Sequence, residues 1–267
     1  MSQTPTEIRR LLDRHGLRPR KRLGQHFLAD PNIVQRIIDL ADLDAGASVV
    51  EIGAGTGALT RALAERGHNV RAYEVDEDLR PVLAEVLDGL SVDVRFEDAA
   101  AVDFASELDG NWTLVANLPY NVGTPIVLDL MRHVPAVSRF CVMVQKEVAD
   151  RLTAQPGSRV FGLPSVVAGL YAERHGMFTV PPQVFVPPPH VGSAVVRFDR
   201  RDAPAGAERA VDLASIAFNQ RRKMLRQSLR GAVPNPDDVL SSADIDPTRR
   251  PETLTMEEWL ALAEAAA

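Results

Sequence analysis

An apolar run, "NWTLVANLPYNVGTP", ends in the tetrapeptide Asn117, Leu118, Pro119 and Tyr120. An amide, a rigid imide and an aromatic ring at the end of a strand stand where a parallel sheet opens toward a ligand. The Asn117 side-chain carbonyl and the Leu118 main-chain carbonyl can each accept one hydrogen of an amino group. Held in fixed geometry, two such acceptors favour rehybridisation of an aromatic amine, such as N6 of adenine, and aim its lone pair. Pro119 stiffens the loop, and Tyr120 offers a face on which an extruded base stacks. The same residues also suit an Asx-turn with Tyr120 in the core, so the surrounding sequence has to decide.

Upstream, "VVEIGAGTGALT" reads as a strand, a tight glycine turn and a helix start. Gly53 and Gly55 permit close backbone approach to a ligand, and Gly57 lets the helix begin without a side chain in the way. Gly53, Gly55 and Ala58 fit G-x-G-x-x-G/A, so the glycines alone do not separate NAD from another nucleotide-like cofactor. Three acids narrow the choice. Glu74 ends the second strand, 21 residues after Gly53, the interval of a carboxylate that accepts both ribose hydroxyls. Glu51 precedes Gly53 by two residues, where a carboxylate repels a diphosphate but accommodates the ammonium or sulfonium end of S-adenosylmethionine. Asp98, closing "RFED" after the third strand, can accept an adenine amino group. Each acid alone is an ordinary surface carboxylate; together they favour an adenosine-bearing cation.

The elements that position these groups follow from periodicity. The runs "ASVVEI", "HNVRAYEV", "VDVRFED", "WTLVANL" and "RFCVMVQ" alternate with helical intervals. That alternation predicts an α/β fold, a Rossmann-like sheet of seven mostly parallel strands covered on both faces. "TGALTRALAERG" puts Leu59, Ala62 and Leu63 on one side and stops at Gly67. In "MFTVPPQVFVPPPHVGSAVVRFDR" two strand-like runs are separated by prolines that impose an extended link, giving a hairpin at the sheet's end. "DAPAGAERA" reads as a boundary. The predicted divisions are a basic N-terminal segment over 1–29, a cofactor-binding catalytic domain over 30–201, and a small helical domain over 202–267. In the last, "AFNQRRKMLRQSLR" predicts an amphipathic helix with Ala217, Met224, Leu225 and Leu229 inward and Arg221, Arg222, Lys223, Arg226 and Arg230 outward.

Charge is uneven along the 267 residues. The formal total is -6, yet twelve acids and two arginines fall between Glu74 and Gly110, while "RPRKR" (with Arg20, Lys21 and Arg22) and "RRKMLRQSLR" are basic. A bipolar molecule of this kind can offer basic faces to phosphates, although either cluster alone is also an ordinary solvated surface. The single cysteine, Cys141, cannot form an internal disulfide, and no run approaches the roughly 20 apolar residues of a membrane span. A cytoplasmic protein without an export signal, without a metal site and as a monomer is expected.

The segments "LGQHFLAD", "VVEIGAGTGALT", "YEVD", "NLPYNVGTPI", "VMVQKEVADRL", "VFVPPPHVGSAVVRF" and "AFNQRRKMLRQSL" together resemble the ribosomal RNA adenine dimethyltransferases. They resemble the small-subunit (KsgA-type) branch more than the erythromycin-resistance methylases, and "RPETLTMEEWLALA" is similar to the family's C-terminal helix. The resemblance covers almost the whole chain. It implies a sheet of the S-adenosylmethionine-dependent methyltransferase type. It also implies transfer of two methyl groups to N6 of each of two adjacent adenosines near the 3′ end of 16S rRNA, in an immature 30S subunit. The family's cofactor contacts carry over to His26, Leu28, Gly53, Glu74, Asp98 and Asn117. Phe185 matches a second aromatic that packs on the target base opposite Tyr120. Two residues depart from the family's pattern. His26 stands where Asn is usual, and a neutral imidazole can still donate one hydrogen bond. His190 replaces a common Lys, removing a phosphate contact at neutral pH. Three other functions compete: a 23S rRNA methylase, a small-subunit assembly factor that transfers no methyl group, and a nicotinamide dehydrogenase, for which no hydride-transfer constellation is visible.

Overall fold

The computed structural model describes residues 3–120 and 122–267. Its first helix, α1 (Pro5–Arg14), opens on a capping box in which Thr4 and Glu7 satisfy each other's backbone N–H groups. Ile8, Leu11 and Leu12 of α1 are buried in the core that underlies the sheet. After a short strand β1 (Phe27–Leu28), Asp30 caps α2 (Pro31–Ala41) by accepting from the N–H groups of Asn32 and Ile33. The alternation then runs β2 (Ser48–Ile52), α3 (Ala58–Ala64), β3 (Asn69–Tyr73), α4 (Arg80–Val86), β4 (Val92–Arg95), α5 (Phe104–Glu107), β5 (Trp112–Asn117), α6 (Gly123–His133) and β6 (Val137–Gln145). Two helices follow, α7 (Lys146–Leu152) and α8 (Leu163–Tyr171), then β7 (Ala172–Val180), β8 (Phe185–Val186) and β9 (Ser193–Arg200).

Seven strands form one sheet in the order β4-β3-β2-β5-β6-β9-β7, in which β2 to β6 run parallel to one another and β9 is antiparallel to β6. The predicted sheet and its terminal β7/β9 pairing are present. Leu59 and Leu63 are buried on α3, and Gly67 ends that interval at φ 81°. Strand order reverses between β2 and β5, which leaves a crevice at their carboxyl ends. The proline-rich link does more than connect. Its β8 pairs antiparallel with β1, off the main sheet, so that Leu28 lies opposite Phe185.

The chain divides into two compact units. The first holds 3–149 and Arg174–Arg200; the second holds Asp150–Glu173 and Arg201–Ala267. Two of the sequence boundaries therefore change. The N-terminal 1–29 is not a separate basic segment, because α1 contributes three buried aliphatic side chains to the sheet's core. Residues 150–173 leave the catalytic domain, because α8 packs on α9 (Ala207–Asn219), the helix that opens the C-terminal region. In that second unit Phe161, Phe218 and Trp259 form an aromatic row with centroid spacings of 6.1 Å. The short α10 (Leu225–Ser228) and α11 (Pro236–Ser242) precede α12 (Met256–Ala265), which opens on the capping box of Thr255 and Glu258.

The basic stretch is not one helix. Helix α9 stops at Asn219, the backbone turns through 220–223, and Met224 caps α10. Leu225 and Leu229 are buried as expected, but Met224 is 37 % exposed instead of inward. Arg222, Lys223 and Arg230 are exposed, Arg226 is half-buried, and Arg221 donates to the Arg159 carbonyl at 2.8 Å. The cations thus crowd a turn, where like charges diverge into solvent more readily than along a helix face.

Candidate active site

The glycine loop leaves β2 through three left-handed residues, Gly53 (φ 83°), Gly55 (φ 57°) and Gly57 (φ 78°). A Cβ at Gly53 would make only ordinary contact with Pro119, so its left-handed backbone is what calls for glycine there, whereas one at Gly55 would lie 3.1 Å from the Phe27 ring. Gly57 serves packing instead: a Cβ there would meet Leu83 and Val86 of α4 at 3.1 Å, and the residue does not line the cleft. The loop's amides settle an alternative that the glycine pattern left open. Gly53 and Ala54 donate to the Tyr73 carbonyl at 2.8 and 3.2 Å, Gly55 donates to Glu74 at 2.8 Å, and Gly57 donates to Ala54. Four of the five N–H groups from Gly53 to Gly57 are thereby committed within the protein, which is not the cradle a diphosphate requires.

The cleft above the loop encloses about 900 Å³, counting the solvent at its mouth. It is lined by acids at the ends of three strands: Glu51 on β2, Glu74 after β3, and Glu97 and Asp98 after β4. No Lys or Arg lines it among the described residues. Glu74 is buried and holds its two oxygens with the amides of Gly55 and Asp76, at 2.8 and 2.9 Å. Burial pushes its carboxyl up, and the two amides work against that rise. Each oxygen keeps a lone pair for a further donor. Asp98 is exposed and accepts from the Ala100 amide at 3.0 Å. Glu51 is 1 % exposed; burial pushes its carboxyl up to about 8, Thr60 working against the rise and the Glu74 charge adding to it. It is therefore neutral at pH 7, not the carboxylate the sequence suggested, because no resident cation offsets its loss of water.

The tetrapeptide from Asn117 to Tyr120 lines the same cleft as this loop. Asn117 donates through Nδ2 to the His26 carbonyl at 3.2 Å. That carbonyl can only accept, so the amide orientation is fixed and Oδ1 is left as an acceptor. Leu118 is anchored by its N–H on the Met143 carbonyl at 3.1 Å, and among the described residues nothing donates to its own carbonyl. Pro119 accepts from Gly123 at 2.8 Å, turning the chain into α6. Tyr120 hydrogen-bonds Ser193 at 2.5 Å, and burial raises its hydroxyl's pKa. The Asx-turn alternative fails for Asn117, whose side chain reaches a residue 91 positions away.

The N-terminal segment closes one wall. His26 stacks on Tyr120, with centroids 5.6 Å apart and planes at 28°, and its Nδ1 donates to the Pro187 carbonyl at 2.7 Å. The single proton of a neutral His26 is thus committed to Pro187, so Nε2 accepts and does not donate toward a cofactor. Arg20, expected among the RNA contacts, is engaged within the protein. It pairs with Asp76 at 2.6 Å and with Asp78, while Gln25 donates to Asp76 at 2.7 Å. Lys21 and Arg22 remain exposed. Leu28 is buried and lines the cleft. Phe185 is 1 % exposed and does not line it; pairing of β8 with β1 turns the ring into the core, so the structure does not set it against Tyr120. Asp76, Gln25 and Ser193 support these groups through contacts that no local sequence pattern marks, although "YEVD" and "LGQHFLAD" contain the first two.

The fold and cleft define a class I methyltransferase: a seven-stranded Rossmann-like sheet whose glycine loop and strand-end acids suit a nucleoside but not a diphosphate. A family model described as ribosomal RNA adenine dimethylase matches residues 16–267. The chain is 43% identical to a ribosomal RNA small subunit methyltransferase A of Magnetococcus marinus, over 96% of this chain and 95% of that one. A Staphylococcus epidermidis protein of the same name is 40% identical, covering 98% and 94%. Among solved structures, a Plasmodium falciparum dimethyladenosine transferase superposes with TM-score 0.75 at 25% identity, covering 89% of this chain and 96% of that one. The 23S rRNA methyltransferase ErmE does so with TM-score 0.67 at 28% identity, covering 90% and 99%. The chain belongs to the ribosomal RNA adenine dimethylase family.

Proposed function

We propose that the protein transfers methyl groups from S-adenosylmethionine to N6 of two adjacent adenosines near the 3′ end of 16S rRNA, acting on the small ribosomal subunit in the cytoplasm. The observation that carries the chemistry is the fixed Asn117 amide. Its Oδ1 and the Leu118 carbonyl form a pair of acceptors at the end of β5, beside the glycine loop. The 16S target follows from the relatives named small subunit methyltransferase A.

S-adenosylmethionine supplies an electrophilic methyl group on a positive sulfur. Glu74 would hold its ribose hydroxyls, Asp98 the adenine amino group, and the backbone of Gly53 and Gly55 would allow it to approach closely. The committed loop amides and the orphaned Glu51 Oε2 fit a cation-bearing nucleoside. Asn117 and Leu118 accept the two N6 hydrogens of the target adenine. As N6 gains a bond to carbon it gains positive charge, and both acceptors bind it more strongly than in the ground state. The methylated nitrogen is cationic and loses its proton readily, so no side chain with a shifted pKa is needed as base. Tyr120, tethered through Ser193, gives the extruded base one stacking face worth ~1–3 kcal/mol.

Radiolabelled methyl transfer to unmethylated 30S particles, with 50S particles in parallel, tests this reading. Label is expected in a fragment from the 3′ end of 16S rRNA, with none in 50S. Label confined to 23S rRNA would reassign the chain to the resistance type, which the similarity to ErmE makes the relevant rival. Binding to 30S without transfer would make it an assembly factor.

A further inference from the structure

Of the two buried carboxyls of the cleft, Glu51 and Glu74, Glu51 is the more deeply sealed and has an oxygen without a partner. It is 1 % exposed, lines the cleft, and its Oε2 is buried without a hydrogen-bond partner. Leaving a buried polar atom unmet costs ~1–3 kcal/mol. The other titratable groups lining the cleft are His26, Tyr73, Glu74, Glu97, Asp98 and Tyr120. From α3 the facing group is Thr60, which does not titrate. Its Oγ1 is near enough to favour the carboxylate but, like Glu51 Oε2, makes no hydrogen bond of good geometry. Four acids and one imidazole thus surround the space, and no Lys or Arg among them can hold Glu51 ionised. Before any ligand enters, Glu51 carries its proton at pH 7, since its carboxyl stands at about 8.

We propose that Glu51 is a charge sensor for the methyl donor: it surrenders its proton to solvent when the cationic methionyl end of the ligand enters, and thereafter faces that charge as a carboxylate. This rests on the cofactor assignment above. The balance is simple. Neutral Glu51 plus a positive ligand gives an ion pair inside the cleft and one proton released to buffer, with no other bond made or broken. A cation within ~4–6 Å lowers a carboxyl pKa by ~1–3 units, enough to ionise Glu51 near neutrality. Linkage then fixes the sign of the pH effect. Affinity for the donor rises with pH, by up to about tenfold per unit for one proton, and levels off above about 8, where free Glu51 is already ionised.

The test is isothermal titration of the full chain at pH 7 in two buffers of different ionisation enthalpy, which counts protons directly. Three ligands separate the cations: S-adenosylmethionine carries ammonium and sulfonium, S-adenosylhomocysteine ammonium without sulfonium, each with an α-carboxylate, and methylthioadenosine carries none of these charges. Proton release is expected with S-adenosylmethionine and absent with methylthioadenosine. Retention with S-adenosylhomocysteine would assign the sensed charge to the ammonium, and loss would assign it to the sulfonium. Glu51→Gln should abolish the Glu51 share while keeping whatever the ligand's own amino group contributes. Equal release by methylthioadenosine, or no release with S-adenosylmethionine in the wild-type chain, overturns the proposal. The wild-type arms can overturn it even if the variant does not fold, and release undiminished in a folded Glu51→Gln chain would place the proton on another acid of the cleft, such as Glu74, and overturn it too. Failure of S-adenosylmethionine to bind at all would overturn the cofactor assignment, and the sensor with it.

Discussion

Two carbonyl oxygens and one ring are what the proposed catalytic tetrapeptide would bring to the chemistry, and one of those oxygens sits on an amide held from outside the strand. Asn117 is held by a main-chain carbonyl from a segment far away in sequence, so its amide cannot flip without losing that bond. Asn117→Ala should therefore leave the fold and S-adenosylmethionine affinity largely unchanged while lowering single-turnover transfer to 30S particles by about 10²–10³-fold. The loss belongs in the transfer rate because the acceptor binds the transition state better than the substrate. Transfer at the wild-type rate would reduce the tetrapeptide to a turn. The residue scale also limits what His26 can do. Its ring covers part of Tyr120 and its Nδ1 proton is committed, so its value lies in shape and in the carbonyl that orients Asn117.

At the scale of elements, the cofactor cleft is built by strand ends and then walled by a segment from outside the sheet. Residues 20–28 are tied to the loop after β3 through Asp76, which is 4 % exposed and receives both Arg20 and Gln25. The same loop presents Glu74, whose Oε1 accepts the Asp76 amide. Asp76→Asn should loosen this wall, since breaking a charged hydrogen bond costs on the order of 1.5–3 kcal/mol. Trypsin should then cut between Arg18 and Arg22 faster than in the wild-type chain, and S-adenosylmethionine should bind about tenfold more weakly. Unchanged cutting and affinity together would show that the Arg20 and Gln25 contacts do not hold the wall in place. The same network occupies Arg20 with two aspartates, while Lys21 and Arg22 stand exposed.

For the whole molecule, a formal charge of -6 coexists with an RNA substrate because the cations are gathered while the acids are placed elsewhere in the chain. In the helical unit they occupy the turn between α9 and α10, where Arg222 and Lys223 project from backbone that no helix constrains. Replacing Arg221, Arg222 and Lys223 by neutral residues should weaken 30S association with little change in cofactor affinity. The slope of log affinity against log salt should also become shallower, because fewer phosphate-bound ions are released. A folded variant with an unaltered slope would show that this turn does not meet RNA. Of the three, Arg221 already commits one guanidinium nitrogen to the Arg159 carbonyl, so Arg222 and Lys223 should carry the larger share of the effect.

The sequence by itself determined the sheet, the glycine loop, the three acids and the tetrapeptide, since each depends on local periodicity or on residues a few positions apart. It also carried the family, through motifs spread over nearly the whole chain. Tertiary structure alone decided what burial and distant contact control. Glu51 reads as a charged acid in one dimension, but enclosure without a cation makes it neutral. Phe185 reads as a base-stacking ring, but pairing of β8 with β1 buries it. Arg20 reads as part of a basic tail, but Asp76 lies across from it, 56 positions along the chain. The extent of the units was likewise invisible, because α8 joins the helical unit by packing against α9, and no local signal marks that choice. Charge state and accessibility depend on which side chains the fold brings together, and a linear pattern records only which ones are available.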